Sequence, residues 1–286
     1  MLPSDIASKV TKLEDILKNL KSVAIAFSGG VDSSLLAKVS HMVLGDMAVA
    51  VTGRSHSFPL RELEAARKFT AHLGLKHIEI DSEELALPGF SNNPPNRCYL
   101  CKHELFSKIT SVAKDLNLNA VIEASNIDDE GDYRPGLKAL KELGVVSPLR
   151  LASLSKAEIR LVSKELGLNT WDKPSFACLA SRFPYGEIIT TDRLDKIDMA
   201  ETFLLDLGLK QVRVRFHDHG DLARIETDDE GLSILMTASA RLLVAERFQK
   251  LGFLYTSVDL SGYRSGSMNL SLSNDVKDAA MDTIGQ

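Results

Sequence analysis

Cysteine is scarce in this chain, with three residues in 286. Three thiols are too few for a disulfide framework, so a paired C-x-x-C among them points to redox chemistry, a metal or a cluster. A basic excess is missing as well. The formal net charge is -5 and the pI about 5.8, against the positive bias of an electrostatic nucleic-acid binder. No apolar run approaches the roughly 18 residues of a membrane span. The N-terminal stretch has no continuous apolar core of the signal-peptide kind. Ile6, Val10, Leu13, Leu17 and Leu20 instead fall at helical spacing among Lys, Asp and Glu, which predicts an amphipathic surface helix. These absences lead us to expect a cytoplasmic protein with no nucleic acid and no membrane among its partners.

What is present is a good supply of core. Hydrophobic residues make up 44% of the chain, enough for one large or two modest domains. Short apolar runs at 23–27, 48–53, 76–81 and 119–125 read as strands. They alternate with helical patterns from residue 31, at 60–74 and at 102–117. That alternation predicts an α/β fold, a parallel sheet with helices on both faces. A further helix over 155–167 opens on Ser155, with Glu158 three residues later, a capping box. Past about residue 190 the pattern changes. A helix over 191–208, a hairpin of strands 210–218 and 221–227, a helix to about 251 and a strand over 253–260 predict a small α+β unit. The expected division is 1–188, 189–270, and a polar mobile tail over 271–286.

The strongest motif is AFSGGVDSS at 26–34. A buried strand ends, Gly29 and Gly30 turn the chain, and a helix begins. Glycine admits an anion close to the backbone, and the helix start offers N–H groups and the positive end of a dipole. Ser28, Ser33 and Ser34 would add hydroxyl donors, and Asp32 would hold Mg²⁺ on the phosphates. No lysine follows as in a Walker loop, and the G-x-G-x-x-G of dinucleotide folds is absent. The segment resembles the signature of the PP-loop ATP pyrophosphatases, an adenine nucleotide α-hydrolase-like fold. That likeness implies ATP as co-substrate, adenylylation of an oxygen, release of pyrophosphate, and displacement of AMP by nitrogen or sulfur.

Further segments narrow the nucleophile. DDEGDYRPGLKA (128–139) follows the fourth strand and carries Arg134. CLASRFPYG (178–186) carries Arg182. In VRVRFH (212–217) Arg213 and Arg215 fall on one strand face, a pairing suited to bidentate phosphate binding. With DLSGYRSGSMN (259–269), these segments together resemble the LarE family, ATP-dependent sulfur transferases that mature the nickel-pincer nucleotide cofactor of lactate racemase. The likeness runs from about residue 23 to about 270. It implies a pyridinium-3,5-dicarboxylate mononucleotide as substrate, adenylylated at a carboxylate that is then converted to a thiocarboxylate. It also implies Arg182, Arg213 and Arg215 near the substrate's ribose phosphate. A homo-oligomer is the expected assembly.

The likeness bears on the cysteines too. One branch of that family gives up sulfur from a single cysteine just before S-R-F-P-Y-G, and Cys178 lies four residues before Arg182, about one residue out of register. Another branch has three cysteines and holds a 4Fe-4S cluster, which implies Cys98, Cys101 and Cys178 as ligands with an open iron for sulfide. Asp32 and Cys178 are the candidate catalytic residues. Rival readings of the thiols stay open: a zinc site completed by His103, a redox pair serving a persulfide on Cys178, or plain buried cysteines. A tRNA thiolase and a non-catalytic nucleotide-binding regulator are the alternative functions.

Overall fold

The computed structural model describes residues 2–129 and 135–282. They form two compact units, Met1–Glu84 with Cys98–Ser175, and Leu85–Arg97 with Phe176–Gln286.

The first unit runs α1 (Ser4–Leu20), β1 (Val23–Ala26), α2 (Val31–Leu44), β2 (Ala48–Arg54), α3 (Leu60–Leu73) and β3 (Lys76–Asp81). It continues with α4 (Arg97–Asp115), β4 (Ala120–Ile122), α5 (Gly136–Glu142), α6 (Pro148–Leu151) and α7 (Lys156–Glu165). The four strands are parallel in the order β3-β2-β1-β4. Their side chains alternate between faces with period two. Val23, Ile25, Ala48, Ala50 and Ile122 pack with Leu13 and Leu17 of α1, Leu35 and Leu36 of α2, and Ile159 and Val162 of α7. Ala24, Val49, Val51 and Val121 face the other way, onto Phe106, Ile109 and Ala113 of α4 and Leu140 of α5. Both faces are covered, which is why the strands read as nearly unbroken apolar runs.

The strand order has a functional consequence. From β1 the chain steps outward to β2 and β3, then crosses back to place β4 on the other side of β1. The connections leaving β1 and β4 therefore start from neighbouring carboxyl ends and lead to helices on opposite faces of the sheet, α2 on one and α5 on the other. Such a topological switch point is where open α/β sheets take ligands.

In the second unit the elements are α8 (Thr191–Asp206), β5 (Val212–His217), β6 (Leu222–Thr227), α9 (Asp229–Leu235), α10 (Ala238–Lys250), β7 (Tyr255–Val258) and α11 (Asn274–Asp282). The β5-β6 hairpin is antiparallel and β7 joins β6 in parallel. The fold is α/β: a parallel, helix-covered sheet and a second small sheet.

Two local readings change and a third holds. The helix expected from residue 102 starts at Arg97, behind Pro94 and Pro95, so the C-x-x-C lies inside its first turns. Proline before a helix start is tolerated because no N–H is needed there. The single helix expected up to residue 251 is two, parted where Thr237 caps α10 by accepting the Ala240 amide at 3.3 Å. The capping box of α7 forms as read, with Ser155 and Glu158 exchanging hydrogen bonds. Among the described residues no helix is long and apolar enough to cross a membrane.

Candidate active site

The loop after β1 is built around one left-handed residue. Gly29 has φ +67°, and a Cβ there would sit 3.6 Å from the backbone of Ala66 on α3. A side chain at this φ costs about 1–2 kcal/mol. Gly30 is the N-cap of α2 in extended conformation, and no side chain caps the helix. The helix's first amides thus meet no competing side-chain acceptor, an arrangement suited to an anion. Ser33 closes the loop internally. Its hydroxyl donates to the Gly30 carbonyl at 3.2 Å, accepts from the Ser28 amide at 3.4 Å and lies 3.1 Å from the Ser28 hydroxyl. Ser28 is exposed, whereas Ser33 and Ser34 are buried. The Ser34 hydroxyl finds no partner among the described residues.

Asp32 lies one residue into α2, and the loop after β4 reaches it. Asn126 donates to Oδ1 of Asp32 at 3.2 Å, and the Lys156 ammonium pairs with Oδ2. This arrangement is held from behind. Asp128 accepts the Lys156 amide at 2.7 Å, the Asn126 side chain accepts the Asp128 amide at 2.9 Å, and Asp129 accepts the Asn126 amide at 3.0 Å. Buried Glu123, just past β4, accepts from the Ser125 amide and hydroxyl at 2.9 and 2.7 Å and from Ser147. The loops from β1 and β4 thus meet around one carboxylate.

Asn126 and Lys156 are site residues that the motifs alone do not mark. Lys156 carried one local signal. It is the first residue of α7, where a cation opposes the helix dipole and is a poor choice for stability. A residue that defies its local preference is one to suspect of another duty.

The C-x-x-C sits at the start of α4. Cys98 is exposed and Cys101 half-buried, and neither is in a disulfide. They stand one turn apart on one helix face. A Cβ on Gly136 would come 2.6 Å from Cδ of Lys102 and 3.2 Å from the Cys98 carbonyl, so α5 begins close against this turn. Arg134 lies outside the described residues. His103, the zinc candidate, is exposed on α4 with its ring 5.7 Å from that of Tyr99. Among the described residues no three His, Cys, Asp or Glu side chains gather as a metal-holding set.

Cys178 belongs to the second unit. Its carbonyl accepts from the Ser181 amide at 3.0 Å, the Ser181 hydroxyl at 2.8 Å and Arg182 at 3.2 Å. Arg182 is wholly buried. Its guanidinium forks onto Glu201 of α8 at 2.7 and 2.9 Å, and also donates to the Ala177 carbonyl at 2.9 Å. Glu201 further accepts the Val214 amide of β5 at 2.9 Å. Burial alone would raise the Glu201 pKa, but the charge and hydrogen bonds of Arg182, with the charge of Arg213, hold it below the usual carboxylate range.

Arg213 and Arg215 are buried beside this pair. Arg215 forks onto Glu226 at 2.6 and 3.0 Å, and donates to the Ser181 carbonyl at 3.1 Å and to Ser267 at 3.0 Å. Arg213 donates to the Val212 carbonyl at 2.7 Å and lies 4.9 Å from the Tyr263 ring centre. Burial, and then the charge of Arg182, push its pKa down to about 10. Strand spacing predicts a shared face for the two arginines. It does not reveal Glu226, Arg213's cross-strand neighbour, or Glu201, which arrives from a helix.

A parallel sheet with a Gly-Gly loop and an uncapped helix at its switch point defines a PP-loop nucleotide-using enzyme. The NAD synthase family matches residues 6–109. The pyridinium-3,5-bisthiocarboxylic acid mononucleotide synthase of Lactiplantibacillus plantarum is 38% identical over 268 residues, 93% of this chain and 96% of its own. The protein slr1717 of Synechocystis is 44% identical over 264 residues, 92% of this chain and 98% of its own. The chain belongs to the family of that mononucleotide synthase, the ATP-dependent PP-loop sulfur transferases. More distantly, the glutamine-hydrolysing GMP synthase of Coxiella burnetii is 30% identical over 184 residues, 57% of this chain and 33% of its own.

Proposed function

We propose that the chain adenylylates the carboxylates of pyridinium-3,5-biscarboxylic acid mononucleotide and exchanges oxygen for sulfur to give the thiocarboxylates. The carboxylate oxygen attacks the α-phosphorus of ATP and pyrophosphate leaves. A sulfur nucleophile then displaces AMP at the carbonyl carbon. The observation carrying this reading is the full-length likeness to the Lactiplantibacillus synthase. The phosphate loop at the switch point supports it.

In this reading Ser28, Gly29, Gly30, Ser33 and Ser34 cradle the phosphates of ATP, and Asp32 holds Mg²⁺, which neutralises charge on the leaving pyrophosphate. Lys156 carries the second positive charge at that spot and keeps Asp32 aimed while ATP is away. Arg134, Arg213 and Arg215 receive the phosphate of the mononucleotide. A dianion beside Arg213 offsets the desolvation that depresses its pKa. Arg182 serves the same site by locking Glu201 and the carbonyls of Ala177 and Cys178.

Arg213→Met is the clean probe of this assignment, because Arg215 also neutralises Glu226. It is expected to weaken mononucleotide binding about tenfold to a hundredfold, the worth of a charge-assisted contact, and to leave ATP affinity unchanged. Titration calorimetry with each ligand checks it, and equal losses for the two would refute the assignment.

For the sulfur, we assign Cys98, Cys101 and Cys178 as thiolate ligands of a 4Fe-4S cluster. A cluster held by three cysteines leaves one iron open to an external ligand. The expected result is roughly four iron and four sulfide per chain after anaerobic purification, lost on serine substitution of any one cysteine while ATP binding stays. A second reading rests on the position of Cys178 four residues before Arg182, just ahead of S-R-F-P-Y-G: Cys178 itself donates sulfur. Inactivation by Cys178→Ser alone, with one cysteine sulfur lost per thiocarboxylate formed, would decide for the second reading.

A further inference from the structure

The Lys173 ammonium lies 3.0 Å from the carbonyl oxygen of Gly29 and 2.6 Å from a carboxylate oxygen of Glu62. Glu62 is in the first turn of α3, and Ala66, one turn on, is the residue against which Gly29 packs. Residues i and i+4 of a helix share a face. The same face of α3 therefore lies against Gly29 and holds the cation that binds its carbonyl. Lys173 itself is fastened from the far side. Arg160 of α7 donates to the Trp171 carbonyl at 2.7 Å and the Lys173 carbonyl at 2.9 Å, and Lys164 lies 4.4 Å from the Trp171 ring centre.

We propose that Lys173 is a positioning residue for the phosphate loop, acting through the Gly29–Gly30 peptide. In a trans peptide the carbonyl and the following N–H point in opposite directions. Fixing the Gly29 carbonyl on Lys173 turns the Gly30 N–H the other way, toward the open start of α2, where an anion binds. Gly29 has no side chain to restrict its peptide plane, so an uncaptured plane is free to rotate. A side chain that would otherwise restrict it is disfavoured here, since φ +67° favours glycine. An ammonium with its own carboxylate supplies the restraint from outside the loop. It holds the donor in place before ATP arrives, so that no ordering is left to the binding step.

Lys173 also lies two residues before Ser175, where the chain leaves the first unit for the segment bearing Cys178. The same ammonium that orients the loop thus holds the chain five residues before Cys178.

This inference rests on the loop being the ATP phosphate site, and the test separates the two. Binding of ATP, inorganic pyrophosphate and adenosine is measured by calorimetry on wild type, Ser28→Ala with Asp32→Asn, Lys173→Met, Lys173→Arg and Glu62→Gln. Lys173→Met is expected to weaken ATP and pyrophosphate about tenfold to a hundredfold, with adenosine affinity unchanged. Lys173→Arg, which keeps a donor, is expected to recover most of the loss, and Glu62→Gln to show a smaller one. Wild-type pyrophosphate affinity in Lys173→Met overturns the positioning role. So does an equal loss of adenosine, which marks a general collapse of the site. If Lys173→Met fails to fold, Glu62→Gln decides by the same criterion. Full pyrophosphate affinity in the Ser28 and Asp32 double variant overturns the loop assignment instead, and the inference with it.

Discussion

Asp32→Ala is expected to lower ATP-dependent pyrophosphate release by about a thousandfold, some 4 kcal/mol of transition-state stabilisation, with the fold intact. Asp32 is part-exposed, its side chain about a fifth accessible, and its bonds to Lys156 and Asn126 are rim contacts and not core packing. Their loss costs stability on the order of 1 kcal/mol or less. The chemical loss is larger because it falls on charge that develops as pyrophosphate leaves. The variant also frees the Lys156 ammonium, which can still meet a phosphate. ATP affinity is therefore expected to fall much less than turnover. Single-turnover pyrophosphate release and a binding titration on the same preparation check this. Normal release by a well-folded variant, or loss of binding as deep as the loss of rate, would refute the role.

The second large effect is on stability. Arg182→Met is expected to destabilise the second unit by about 3–5 kcal/mol, the cost of leaving a buried carboxylate without its partner. The site makes this sharper than a generic buried pair. Glu201 also accepts the Val214 amide, and Arg182 also holds two carbonyls in the Cys178 turn, so the change strips a strand, a helix and a turn at once. The linkage has a definite sign. In the native protein the Glu201 pKa is depressed, so the pair's contribution is complete above the unfolded value of about 4.3 and is lost as pH falls through the folded value. In Arg182→Met the depression is removed and burial dominates, so Glu201 gains a proton at higher pH. The acid-unfolding midpoint is expected to shift upward, followed by circular dichroism across a pH series. An unchanged melt and midpoint would show that the pair contributes nothing.

The sheet and the loop were legible because both are local. Alternation of apolar runs gave β1 to β4, Gly29-Gly30 gave the turn from β1 into α2, and Ser155 with Glu158 gave the start of α7. What stayed hidden depends on sequence separation. Lys156 meets Asp32 across 124 positions, and Lys173 meets Gly29 across 144; no window of sequence contains both partners. Glu201 and Glu226 were hidden differently. An acid in an amphipathic helix or at a strand end reads as solvated until the packing buries it. The early start of α4 was masked by Cys98, Tyr99 and Cys101, which have modest helix propensity. Helices α5 and α6 are too short for a clear period.

Residues 85–97 belong to the second unit although the chain on both sides of them belongs to the first. Asn93, fully buried, donates to the carbonyls of Phe183 and Pro184 at 3.2 and 2.6 Å, its own carbonyl accepts the Gly186 amide at 3.1 Å, and Ser91 accepts the Ile189 amide at 2.8 Å. No single cut of the polypeptide separates the two units. A fragment ending at residue 175 would keep Asn93 and Arg97 but lose the groups that satisfy them. A fragment beginning at 176 would have an empty slot where they belong. On the ribosome, residues 85–97 emerge about ninety residues ahead of their partners. The second unit therefore closes late, over a long loop whose entropy is lost before its contacts form. The parallel sheet can be complete while the arginine-bearing unit is still open, so the order of synthesis sets the order of assembly: the parallel sheet first, the β5-β6-β7 unit last.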